Sequence, residues 1–135
     1  MRSSDLDPAV LAVVAVGGAL GSAARYGVSL ALPHDPASGL PWATLAVNAV
    51  GCLLIGVLTV VVTEARTAHR LARPFLGVGF LGGFTTFSTW AVEVRGMLAG
   101  GRALVGVGYL ALTLVVAFAA VAAGLSVARW VRGSR

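Results

Sequence analysis

Four stretches of this chain are almost uninterruptedly apolar: 9–32, 41–63, 75–94 and 103–128. Each runs roughly 20 to 26 residues, which at ~1.5 Å rise per residue is enough to cross a ~30 Å hydrocarbon core. The connections 33–40, 64–74 and 95–102 are short, and nothing remains from which to build a soluble domain. The pattern predicts an all-α membrane protein with four transmembrane helices in a single domain, 1–135. The first stretch is read as a retained span. It is too long for a signal-peptide core, and Asp5 and Asp7 spoil the basic start of one, although Ser22-Ala23-Ala24 loosely resembles a processing site.

The third stretch breaks the pattern. Gly82-Gly83-Phe84-Thr85-Thr86-Phe87-Ser88-Thr89-Trp90 places two glycines and four hydroxyl residues where a spanning helix is expected. A Gly-Gly pair supports a helix less than any other choice short of proline. Unpaired backbone groups in hydrocarbon cost several kcal/mol, so an interrupted span is tolerated only where protein or a cavity satisfies them. This segment is therefore expected to be a broken third helix whose freed carbonyls and amides hold something, as ion sites in membranes do.

Composition narrows the options. Of 135 residues 58% are hydrophobic and 11% charged, far too little charge for a soluble domain of this size. The net charge of +5 comes from arginines in loops and tails, where they set topology, so it does not point to nucleic acid. Cys52 is the single cysteine and sits in an apolar helix, where small-residue packing is the default role. His34 and His69 lie in loops, and no metal-ligand or nucleophile–base spacing is present. The chain reads as a non-enzyme.

Gly17/Gly21 and Gly18/Ser22 have the small-xxx-small spacing that lets helices approach closely, and Gly51 and Gly56 offer small residues on the second helix. Packing does not absorb a sparse polar set at spanning depth: Arg25, Thr44, Asn48, Tyr109 and Thr113. Each has a bland reading, with Asn48 bonding a neighbouring helix, Thr113 its own i−4 carbonyl and Arg25 snorkelling to the interface. Together with the interrupted third helix they outline a polar pathway. No Asp or Glu lies deep in a span, Glu93 being placed near the end of the third. That weakens a proton-coupled multidrug exporter and favours an anion or neutral polar solute. Phe87, Trp90 and Glu93 recur at i, i+3 and i+6 on one face. Ring edges carry partial positive charge, though packing is the commoner role for such aromatics.

The nine-residue run closely resembles the GGxTTFSTF signature of the small fluoride channels known as the Fluc or CrcB family. Gly17-Gly18-Ala19-Leu20-Gly21-Ser22-Ala23-Ala24-Arg25-Tyr26 is similar to the family's GGxxGAxxRY, and Thr44-Leu45-Ala46-Val47-Asn48-Ala49-Val50-Gly51 to its TLxVNxxG. The resemblance spans essentially the whole chain. It implies a fluoride-selective channel that passively exports fluoride and works as an antiparallel dimer in the cell membrane, with two pores and a structural sodium ion at the dimer interface. It implies that the carbonyls of Gly82 and Thr85 hold the sodium. Asn48, Phe87 and Trp90 match pore residues; Thr86, Ser88, Tyr109 and Thr113 would supply hydroxyls; Arg25 would draw anions to a vestibule and Glu93 would lie near the pore. Trp90 stands where the family has a second phenylalanine, Thr113 where serine is common, and Ala117 where a hydroxyl often continues the track.

Arginine placement adds an orientation. Arg2, Arg66, Arg70, Arg73, Arg129, Arg132 and Arg135 fall on one side of a four-span protein; Arg95, Arg102 and the near-interfacial Arg25 fall on the other. The positive-inside rule then expects both termini in the cytoplasm. So strong a bias argues for one fixed orientation and a separate, oppositely oriented homologue as partner, against dual topology of one chain. A non-conducting or partly conducting subunit of such a heterodimer is the alternative function.

Overall fold

The computed structural model describes residues 7–33, 39–64 and 70–134. Arg2, Asp5, His34, Asp35, Arg66, His69 and Arg135 lie outside them. Helix α1 spans Pro8–Ala31, started by Asp7, whose carboxylate accepts from the Ala9 amide at 2.9 Å, with Pro8 at the position where a missing N–H costs least. Helix α2 spans Trp42–Glu64. A π-helical stretch, Pro74–Leu81, leads directly into a short α3, Gly82–Phe84. Helix α4, Ser88–Ala99, follows, and α5 covers Ala103–Gly133. Among the described residues, four helical segments are long and apolar enough to cross a membrane: Pro8–Ala31, Trp42–Val62, Pro74–Ala99 and Ala103–Gly133.

The third span is longer than the apolar run suggested. Arg95 and Gly96 do not stop the helix, which continues to Ala99 and is closed by Gly100 and by Gly101 at φ +73°. Glu93 therefore stands inside the span, not at its end.

Packing pairs the spans through small residues. Span 1 lies on the π-helical stretch and α3 at backbone distance: a Cβ at Gly17 would stand 2.6 Å from the Phe75 carbonyl oxygen, and one at Gly79 would stand 3.1 Å from Gly17 Cα. A Cβ at Gly83 would likewise run into the backbone of Gly18. Helices α2 and α5 meet the same way, a Cβ at Gly56 falling 2.5 Å from the Val121 carbonyl oxygen. Without a hydrophobic force between helices in lipid, such close approach is what gains packing energy. Helix α4 leaves span 1 and packs on α5, where Leu45, Val94, Met97 and Tyr109 form the buried cluster. At the other end of the bundle Arg70 reaches Asp7 at 3.1 Å, joining the α2–span 3 connection to the start of α1.

Candidate functional site

Helical pairing stops at Phe84 and resumes at Ser88, with Thr85 extended at φ −76°, ψ 159°. Gly82 and Gly83 are not where it stops. Gly82 keeps helical angles, and Gly83 is glycine because Gly18 lies against it. What holds residues 85–87 out of the helix is Asn48. Its Nδ2 donates to the Thr86 carbonyl at 2.9 Å and its Oδ1 accepts from the Thr86 amide at 2.9 Å. The side-chain amide thus pairs both backbone groups of Thr86 as a neighbouring strand would, which removes the penalty for irregular backbone at this depth.

This pairing frees other groups. The Thr86 amide is the helical partner of the Gly82 carbonyl, but Asn48 takes it. The Thr89 amide is the helical partner of the Thr85 carbonyl, but it donates to Thr86 Oγ1 at 3.2 Å. Thr86 thereby caps α4, a role that serine and threonine hydroxyls fill well. The carbonyls of Gly82 and Thr85 are left without a donor among the described residues. At the start of α4 the amides of Phe87, Ser88 and Trp90 likewise find no acceptor there. Freed carbonyls thus precede the turn and amide donors follow it. Such amides carry the positive end of the helix dipole.

Two cavities flank the turn, and Thr86 borders both. The first, ≈ 370 Å³, is lined by Asn48, Thr85, Phe87, Trp90, Thr113 and Gly82, among others. It is a groove on the chain's own surface, since Phe87 is 76% exposed. Phe87 and Trp90 tilt at 42° with centroids 5.1 Å apart. Thr113 turns its hydroxyl back to the Tyr109 carbonyl at 2.8 Å, and Ala117 beyond it adds no donor. Trp90 Nε1 is buried and has no partner among the described residues, and an unmade hydrogen bond costs ~1–3 kcal/mol.

The second cavity, ≈ 380 Å³, is the more polar one, bordered by Arg25, Ser22, Tyr26, Ser29, Thr44 and Thr89. Arg25 does not snorkel away: its Nε donates to the Gly83 carbonyl at 3.1 Å. One guanidinium N–H is spent on positioning, and the charge stays at the cavity wall. Tyr109 and Glu93 border neither cavity. Tyr109, 1% exposed, donates to Glu93 Oε2 at 3.1 Å, and Thr44 donates to Oε1 at 2.6 Å. Both carboxyl oxygens are engaged, so Glu93 ties α2, α4 and α5 together. Ser88 is exposed, 3.4 Å from Thr86 Oγ1.

A side-chain amide thus rebuilds the backbone pairing within a Gly-Gly-Phe-Thr-Thr-Phe turn, and the comparison with known families gives the kinship. Residues 12–125 match the family described as "CrcB-like protein, Camphor Resistance (CrcB)". The chain belongs to the CrcB family. It is 51% identical over 133 residues, 98% of this chain and 94% of the relative, to "Fluoride-specific ion channel FluC 2" of Nocardia farcinica. It is 60% identical over 112 residues, 83% of this chain and 72% of the relative, to "Fluoride-specific ion channel FluC 1" of Streptomyces coelicolor. "Fluoride-specific ion channel FluC" of Paracoccus denitrificans shares 47% over 116 residues, 86% and 91% of the two chains.

Three residues of this CrcB-family site had been assigned no place in it. Ser22, read as packing, reaches toward the Gly83 carbonyl at 3.4 Å beside Arg25. Thr89 receives the Thr86 hydroxyl at 3.0 Å, and Cys52 borders the first cavity. The clue to Thr89 was its place in the hydroxyl-rich run; Ser22 stood in the small-residue spacing beside Arg25, and Cys52 gave no polar signal.

Proposed function

We propose that this CrcB-family chain is a subunit of a fluoride-selective channel that lets cytoplasmic fluoride run out of the cell, and that it is not an enzyme. The observation that carries the reading is the turn at 85–87, which offers unpaired amide donors and a polarised ring edge beside a groove at spanning depth. Donors without a deep free carboxylate suit a small anion, and the relatives' names give its identity. Hydrogen fluoride enters as a neutral acid and dissociates in a more alkaline cytoplasm. An inside-negative potential, worth ~2.3 kcal/mol per charge at 100 mV, then drives the anion outward with no pump. Chloride is disfavoured because a narrow path that strips water returns less to the larger ion. A multidrug exporter fits less well, since both oxygens of Glu93 are already hydrogen-bonded.

The third span works as a broken helix, and a second, antiparallel subunit closes the groove. Phe87 at 76% exposure and the exposed Gly82 support this, because the pathway is open-sided in one chain. The residues also fit a structural sodium ion. The carbonyls of Gly82 and Thr85 lack donors, and hard oxygen ligands suit a hard cation. Held there, the ion would offset the partial negative charge of these carbonyls; the chain's own part is to free them by means of Asn48 and Thr86. Arg25, beside the more polar cavity, concentrates anions at the entrance.

The arginine imbalance favours the second reading, in which the partner is a distinct homologue of opposite orientation. Both termini are then cytoplasmic, in the plasma membrane. Two experiments test these statements. Cells lacking their own fluoride exporter should grow in millimolar-range fluoride when this chain is expressed, with its homologue if one is required; failure in both settings removes the channel reading. Ser134→Cys in a Cys52→Ala background should be protected from an impermeant thiol reagent in every copy. Labelling of half the copies would instead establish dual topology and a self-sufficient homodimer.

A further inference from the structure

The first cavity continues beyond the groove beside Phe87. A third cavity, ≈ 330 Å³, shares Ile55 and Gly77 with it and follows α2 and the π-helical stretch away from the turn. Through Thr86 the first cavity also meets the second, so three cavities succeed one another along the chain. Each end of the series carries an arginine: Arg25 borders the second cavity and Arg73 the third. The two stand at opposite ends of the bundle. Arg73 precedes Pro74 at the end where Arg70 meets Asp7, and α1, rising ~1.5 Å per residue, carries Arg25 about 25 Å from there. Arg73 is exposed, and its guanidinium makes no ion pair or hydrogen bond among the described residues. The walls beside it are Leu58, Val62 and Val78, while Thr59 spends its hydroxyl on the Ile55 carbonyl at 2.7 Å. Among the described residues no carboxylate borders any of the three cavities.

We propose that Arg73 is an anion-collecting residue at the mouth of the pathway opposite Arg25, drawing fluoride into the end of the groove that Arg25 does not reach. The inference rests on the fluoride-channel reading above. A positive charge at the mouth of a cleft with low-dielectric walls has its field focused into that cleft, which raises the local concentration of anions. Apolar walls suit the task, because they hold no ion themselves and leave the arginine's field unopposed. Setting the orientation of the spans needs only an arginine somewhere in the connection. It gives no reason for one at the rim of a cavity continuous with the turn. Arg70, held by Asp7 and bordering none of the three cavities, shows the difference within one connection.

The test separates a field effect from a structural one. The full assembly is reconstituted in phosphatidylcholine liposomes, which carry no net charge, and fluoride efflux is measured at low fluoride with ionic strength set by potassium gluconate. At ~10 mM, where charges act over ~30 Å, Arg73→Gln should lower the initial rate about threefold, as for one exposed charge a few ångström away in a high-dielectric mouth. At ~1 M, where they act over ~3 Å, the variant and the unmodified assembly should agree. The maximal rate at saturating fluoride should not change, and Arg73→Lys should keep the unmodified rate because its charge suffices. Arg70→Gln should have less than half the effect of Arg73→Gln. Should Arg73→Gln fail to assemble, the unmodified assembly still serves: its rate at low fluoride should fall as ionic strength rises, and a flat response overturns the proposal. An unchanged rate in a folded Arg73→Gln at low ionic strength overturns it too and leaves the channel reading intact. A fall that persists at ~1 M, or one in the maximal rate, is what a packing role produces and has the same consequence. Equal falls from Arg70→Gln and Arg73→Gln would reduce the effect to diffuse surface charge, against the proposal. Absence of fluoride efflux from the unmodified assembly is a different result, which removes the channel reading and this inference with it.

Discussion

From Pro74 to Phe84 the third span lies backbone to backbone on α1; from Ser88 to Ala99 it meets α5 through side chains. The first half is written in glycine: Gly79 against Gly17 and Gly83 against Gly18 leave no room for a Cβ. The second half carries Trp90, Glu93, Val94 and Met97, whose contacts are rings, a carboxylate and apolar side chains. The contrast shows how one span can be both anchor and site. Backbone contact fixes where the turn at 85–87 stands, and the side-chain half then carries the chemistry away from it. Asn48 sits at the joint and replaces the pairing that the helix gives up there.

The largest effect should come from the anchoring half. Gly83→Val puts side-chain atoms where the Gly18 backbone already is, and backbone cannot step aside. Destabilisation of about 3 kcal/mol or more is expected, at the upper end for overpacking, read as loss of folded protein in a denaturant titration in detergent. Gly96→Ala, in the other half with nothing within 4 Å of a Cβ, should be neutral or slightly stabilising. Equal tolerance at both positions would erase the distinction between the halves.

Next comes the joint. Asn48→Leu leaves the Thr86 amide and carbonyl unpaired together. A loss of roughly 2 kcal/mol or more is expected from two unmade hydrogen bonds, with fluoride flux reduced more than tenfold because the freed carbonyls and amides lose their placement. Asn48→Asp keeps the acceptor but removes the donor to the Thr86 carbonyl, and flux should fall similarly. Normal flux in either variant would show that the turn holds itself.

Much of this was legible in the chain before any coordinates. Span lengths and the short connections follow from apolar runs that the bilayer thickness imposes, and all four spans stand within a residue or so of the expected places except the far ends of the third and fourth, which run on to Ala99 and Gly133. Gly82-Gly83 drew attention to this span; Gly83 serves close packing against Gly18, Gly82 has open space around it, and residues 85–87 leave the helix just after them. Local propensity could not say this, because the interruption depends on Asn48, 38 residues away in sequence. The role of Asn48 was foreseen as polar; that both ends of its amide would be spent on one residue was not. Tyr109 and Thr113, one turn apart, read as a hydroxyl track, but Tyr109 turns to Glu93 and Thr113 to its own helix. Spacing puts groups on one face and leaves open what they bond.

The side-chain half offers two smaller effects. Phe87→Ile should leave the fold intact, since Phe87 is 76% exposed, while lowering fluoride flux about tenfold through loss of the ring edge, a change of roughly 1.4 kcal/mol. Unaltered flux would make the ring packing only. Thr44→Val removes one of the two hydroxyls on Glu93 and should cost about 1 kcal/mol, detected as a small drop in the denaturation midpoint. A drop as large as that of Gly83→Val would mean that side-chain contacts anchor the third span as firmly as its glycine backbone does.

The central claim, that the joint and the side-chain half together form a path for fluoride, is tested most directly by ion release. Liposomes containing the functional assembly are loaded with equal fluoride and chloride, and valinomycin is added to relieve the charge build-up. The account predicts rapid fluoride release with no proton gradient, while chloride stays trapped. Release of both anions at comparable rates, or fluoride release only when a proton gradient is imposed, would contradict it.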